Sequence, residues 1–142
     1  MFSWLVQVCC STPRNAKDDL GANCIFKKEP PVRKAVDKPL ASRILRIVHN
    51  HEGFRFYVAL GDYTGINAMS LKDFAKKLRV VDIQSINFHF SRGDFWRWIQ
   101  FIIGDVALSS RINRIPQDTR GEKLRSDLIK AVNKRIGELK KI

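Results

Sequence analysis

Catalysis in a small protein needs titratable or nucleophilic side chains that converge on one point, and few stretches of this 142-residue chain offer them. The best grouping joins Asp62, Tyr63 and Thr64 of the loop Gly-Asp-Tyr-Thr-Gly to His89, an acid–base set if that loop folds over the aromatic stretch Ile86 to Asp105. Several features weigh against it. There is no glutamate between Glu52 and Glu122, no Gly-Lys-Ser/Thr phosphate loop and no Gly-x-Ser-x-Gly elbow. Asp73, Asp94 and Asp105 stand where helices should begin and are expected to be helix-start residues, which leaves Asp62, Asp82 and Asp118. His89, between Phe88 and Phe90, reads as a structural histidine whose ring is satisfied by a backbone carbonyl or a carboxylate. His49 and His51 would face apart on a helix, and Cys9, Cys10 and Cys24 lack the spacing of zinc ligands. The expectation is a protein without catalytic residues, metal or cofactor.

The residue types that do recur in a useful pattern are cations. Lysine plus arginine number 26 against 14 acids, for a net charge of +12 and a pI near 10.1. Such a field draws phosphate-rich partners at long range, with nucleic acid first and an anionic membrane second. Lys72, Lys76, Lys77 and Arg79 fall on the outer face of one expected helix. Lys130, Lys134 and Arg135 decorate another, alongside Lys123, Lys140 and Lys141. Trp96, flanked by Arg92 and Arg97, is a candidate platform for stacking a base or anchoring a protein partner. The Arg92-Gly93-Asp94 tripeptide is explained by helix-start chemistry instead of recognition in an exposed loop.

Elements must hold these residues in place. Leu40 to His51 reads as a short helix with Ile44, Leu45, Ile47 and Val48 on its apolar stripe. Phe54, Phe56, Val58 and Leu60 alternate with Arg55, Tyr57 and Ala59 as a strand does, and Ile66 to Met69 offers a short antiparallel return after the turn-rich loop. Ser70-Leu-Lys-Asp73 is a capping box, and Leu71, Phe74, Ala75 and Leu78 give its helix a buried side. Residues 80–90 fit a helix or a strand equally well. A helix starting at Asp94 carries Phe95, Trp98, Ile99 and Ile102 on its stripe and ends at Gly104. Another, capped by Asp105, carries Leu108, Ile112 and Ile115 up to Pro116. A last helix, Arg120 to Lys141, carries Leu124, Leu128, Val132, Ile136 and Leu139.

The fold expected from this pattern is mainly α: a compact bundle of about four or five helices, with a short β-hairpin or single strand near 54–69. Residues 39–142 make one basic domain, a length sufficient for a single core. Residues 1–38 mix charge, Gly and Pro without periodicity and are expected to be a mobile arm, or to be misassigned if the native chain begins at Val32 or Val36. The apolar run Met1 to Cys10 is too short to span a bilayer and lacks the charged start and cleavage site of a signal peptide. An odd number of cysteines, two of them adjacent, suits a reducing cytoplasm.

Taken in order, Phe54-x-Phe56, Gly61-x-x-x-Gly65, Ser70-Leu71, Phe88-His89, Asp94-Phe95-x-x-Trp98 and Gly104-Asp105-x-x-Leu108 form a pattern. It resembles a small domain of unknown function that recurs in archaeal proteins. The resemblance covers about residues 54–140. It implies a helical domain of prokaryotic, cytoplasmic origin and brings no established activity.

Two functions from different classes follow from these readings. The first is a non-enzymatic module that binds RNA or DNA mainly through phosphates. The second is a protein-interaction or assembly domain, with the aromatic hairpin and Trp96 as its apolar patch.

Overall fold

The computed structural model describes residues 36–142, and the expectations for the amino-terminal arm, its cysteines and its apolar run lie outside them. Within the described residues the chain forms six α-helices and one two-stranded antiparallel hairpin, the mainly α architecture expected. The domain begins slightly earlier than residue 39. Asp37 accepts a hydrogen bond from the Leu40 amide, and Pro39 occupies the first turn, where its missing N–H costs nothing.

That first helix, α1, spans Lys38–Ile44 and stops well short of His51. The chain turns after Leu45 because its polar groups find partners elsewhere. The Arg46 guanidinium reaches the carbonyls of Ile102 and Ile103 at 2.7 and 3.2 Å, and the Val48 amide bonds the Met69 carbonyl at 2.8 Å. Ile47, placed on the expected stripe, is 76% exposed as a result. A single 3-10 turn, Asn50–Glu52, leads into the hairpin. Here, outside any α-helix, the His49 and His51 rings stack at 5.6 Å instead of facing apart.

Strand β1 (Phe54–Ala59) pairs with β2 (Asp62–Ala68) across a two-residue turn at Leu60 and Gly61. Most of the expected loop is therefore strand. The register slips between Arg55 and Tyr57 and again between Tyr57 and Ala59. The Thr64 hydroxyl answers the Phe56 carbonyl at 2.8 Å in this irregular part of the ladder. Phe54 and Phe56 are buried as their alternation requires, but Leu60, expected beside them, sits on the turn and is 80% exposed.

Helix α2 (Leu71–Val80) starts as the capping box demands. The Ser70 hydroxyl accepts from the Asp73 amide at 3.0 Å, and the Asp73 carboxylate accepts from the Met69 amide at 3.2 Å. The ambiguous segment resolves as helix α3 (Ile83–Arg92), with Asp82 accepting from the Gln84 amide as its cap; this accounts for one of the unassigned aspartates and for a sixth helix. Gly93, at φ 74°, closes α3 and opens α4 (Asp94–Trp98).

Helix α4 then widens into a π-helical turn, Ile99–Ile103. The added residue rotates the stripe, so Ile103 is fully buried in place of Ile102, and Phe101 projects to solvent. Helices α5 (Val106–Asn113) and α6 (Gly121–Lys140) complete the bundle. All five stripe residues of α6 are buried, from Leu124 to Leu139. The core joins them to Phe54, Phe56, Phe74, Phe95 and Trp98, whose rings meet at 4.9 to 6.4 Å, half of the pairs edge to face. No helix among the described residues is long and apolar enough to cross a membrane.

Candidate nucleic-acid interface

Amphipathicity buries the apolar face of α2 and leaves its basic face exposed beside α6. Lys72, Lys76 and Arg79, at i, i+4 and i+7, share one side of α2, and α6 packs beside it. The helices run antiparallel. Arg79, at the end of α2, lies by the first half of α6, whereas Lys72 shares a hollow with Lys140 near its end. Along the seam run two hollows of about 390 and 320 Å³ with Arg79 common to both, the first rimmed by Lys130 and the second by Lys72, Lys76 and Lys140. These five cations are all exposed. The one acid on the groove, Glu122, stands 3.2 Å from the Arg125 guanidinium.

Arg125 fixes how the two helices sit. Its guanidinium donates to the carbonyls of Leu78, Arg79 and Val81 at 3.1, 2.7 and 3.0 Å, satisfying acceptors that the last turn of α2 would otherwise leave unpaired. The cationic rim thus rests on a charged clamp as well as on apolar packing.

Not every expected cation joins this groove. Lys77 is half-buried and lines neither hollow, and Lys134 is exposed on α6 but away from the seam. Arg135 needs a correction. It lies 6% exposed, with Nε donating to Asp105 Oδ2 at 2.7 Å and a second nitrogen reaching Glu138 at 3.3 Å. Burial works against its charge, yet the two carboxylates outweigh that cost and hold its pKa above the ordinary value. A guanidinium so committed has no role as a phosphate contact; it ties α6 to the start of α5.

Trp96, Arg92 and Arg97 form a separate group around α4. The Trp96 ring is half-buried against the core and lies on Gly93, while Arg97 sits over its face at 5.3 Å. The Arg92 guanidinium covers the Phe88 ring at 5.0 Å and approaches Asp94 at 3.3 Å. The structure does not bring this group to the α2–α6 seam as lining residues.

The acid–base set read around His89 has a different arrangement. His89 is buried between α3 and β1, where its Nε2 accepts the Tyr57 backbone N–H at 2.8 Å. The proton is therefore on Nδ1, which donates to Asp94 Oδ2 at 2.8 Å. Desolvation lowers the His89 pKa despite the carboxylate beside it. Both ring nitrogens are engaged, and Asp94, starting α4 without capping it, spends its carboxylate on His89 and Arg92. This is the carboxylate-satisfied structural histidine expected, with a backbone amide as its second partner. Among the described residues, no three histidine, cysteine or acidic side chains cluster as metal ligands would.

Arg125 and Lys140 went unassigned in the sequence-based site. Lys140 carried the signal of a cation on a basic helix, whereas the Arg125 clamp depends on where α2 ends against α6, which no local pattern encodes. No protein-family model, curated protein or solved structure matches the chain.

Proposed function

We propose that this protein is a non-enzymatic module that binds RNA or DNA through the phosphate backbone, using the groove between α2 and α6. The observation that supports the reading is the run of Lys72, Lys76, Arg79, Lys130 and Lys140 along one antiparallel seam with a single, already paired acid. A linear array of exposed ammonium and guanidinium groups matches a polyanion better than a discrete metabolite. The engagement of both His89 nitrogens supports a role without catalysis. Its place, on this reading, is a prokaryotic cytoplasm, supported by the three cysteines and by a motif order that resembles the archaeal domain.

Binding of the full chain to generic single-stranded and duplex nucleic acid, measured across a salt series, tests the proposal. Five phosphate contacts give a slope of about −4 to −5 in log K against log salt on duplex DNA, and a loss of affinity on the order of 10²–10³ between 50 and 200 mM salt. No binding at low salt overturns it.

The assembly reading has less support. Phe54 and Phe56 are core and Trp96 is half-buried, so on the hairpin a protein partner would meet Leu60 and Tyr63 instead, with Ile47, Val80, Phe101 and Val106 exposed elsewhere.

A further inference from the structure

Strand alternation sends Arg55, Tyr57 and Ala59 to the side of β1 away from Phe56. With α3 and α4 they border an open pocket of about 480 Å³, within the range of small-molecule sites and apart from the α2–α6 groove. Its lining includes the aromatic residues Phe54, Tyr57, Phe88 and Trp98 with His51 and His89 among them, and it carries the exposed Leu60 of the hairpin turn. Its polar rim is cationic. Arg55 has no ion pair among the described residues, and Arg92 presents its guanidinium beside Phe88 with only its Nε near a carboxylate. The one acid in the lining, Asp94, is held by His89 and Arg92.

We infer that this pocket binds a small organic anion with a flat apolar body, of the aryl carboxylate class. The body would lie on the aromatic lining and cover Leu60, and the carboxylate would meet the Arg55 and Arg92 guanidinium groups, whose planar N–H forks suit two oxygens. One edge of β1 pairs with β2, and on the other the Tyr57 amide is spent on His89.

Titration of the full chain with 2-naphthoate, followed by amide shifts in NMR spectra, tests this inference. The expected result is saturable shifts centred on Arg55, Tyr57 and Leu60. Affinity should fall about tenfold with neutral 2-naphthamide and about tenfold with Arg55→Gln, the scale of one charge-assisted hydrogen bond. Arg55 is exposed and makes no ion pair among the described residues, so the variant should unfold at the wild-type temperature. Equal affinity for the amide, shifts centred elsewhere, or tighter binding of adenosine monophosphate at the same amides would each overturn it. Nucleic-acid binding in the salt series is independent of every one of these outcomes.

Discussion

Two buried side chains show how single residues set the behaviour of this domain. Arg135 and Asp105 form an ion pair with side chains 7% and 1% exposed, and Asp105 also caps α5 by accepting from the Leu108 amide at 3.1 Å. Removing one partner strands the other charge away from water. Arg135→Met is therefore expected to lower unfolding free energy by about 3–5 kcal/mol in a urea titration, far more than loss of a surface cation. His89 acts through its protonation state. In the folded protein Nε2 must keep a lone pair for the Tyr57 N–H, and burial depresses the pKa below the ordinary 6.5. Between the folded and unfolded values the unfolded chain binds more protons, so stability rises with pH. The contribution is complete above about pH 6.5 and is lost as pH falls through the depressed folded value. Thermal midpoints from pH 7 to 5 should fall in the wild type and fall less in His89→Gln. Glu138, whose pKa is lowered chiefly by its hydrogen bond from Arg111, adds a separate loss below its ordinary 4.5.

At the scale of elements, the joints carry as much information as the helices. Gly93 and Gly104 both end a helix in the left-handed region, at φ 74° and 86°, but their surroundings differ. A Cβ on Gly93 would meet the Trp96 indole nitrogen, whereas one on Gly104 meets nothing within 4 Å. Gly104→Ala should cost about 1–2 kcal/mol for the backbone alone, and Gly93→Ala clearly more, with a change in Trp fluorescence as the ring is displaced. Calorimetry on the two variants makes the comparison, and equal losses would show that Trp96 yields freely. Much of this layer was legible in the sequence, because capping boxes and apolar stripes are local. Ser70, Asp105 and the stripe of α6 fall where their patterns put them. What was not legible depends on distant partners. The early end of α1 follows from the Arg46 bonds to Ile102 and Ile103, and the π turn moves the core position from Ile102 to Ile103. Residues 80–90 are ambiguous in periodicity, and the Asp82 cap resolves the part from Ile83 onward as helix.

For the whole molecule, the useful distinction lies between charge that holds the fold and charge that faces outwards. Sequence alone grouped Arg135 with Lys130 and Lys134 because all three are basic and close on one helix; burial separates them. Arg125 and Arg46 likewise spend their guanidinium groups on backbone carbonyls at element ends. The groove lysines have no such duty. Lys76 and Lys130 approach the seam from opposite helices, so reversing both places two negative charges in it without removing an internal bond. The double variant Lys76→Glu with Lys130→Glu should keep its unfolding free energy within about 0.5 kcal/mol of wild type. Its salt slope on duplex DNA should fall by about 2 in magnitude, because each lost phosphate contact releases about one counterion fewer. The corresponding reversal of Lys134, exposed but off the seam, should change the slope by less than either groove lysine alone. If Lys134→Glu weakens binding as much as the groove reversals, net charge rather than the groove attracts the polyanion, and the site assignment fails while the electrostatic one survives.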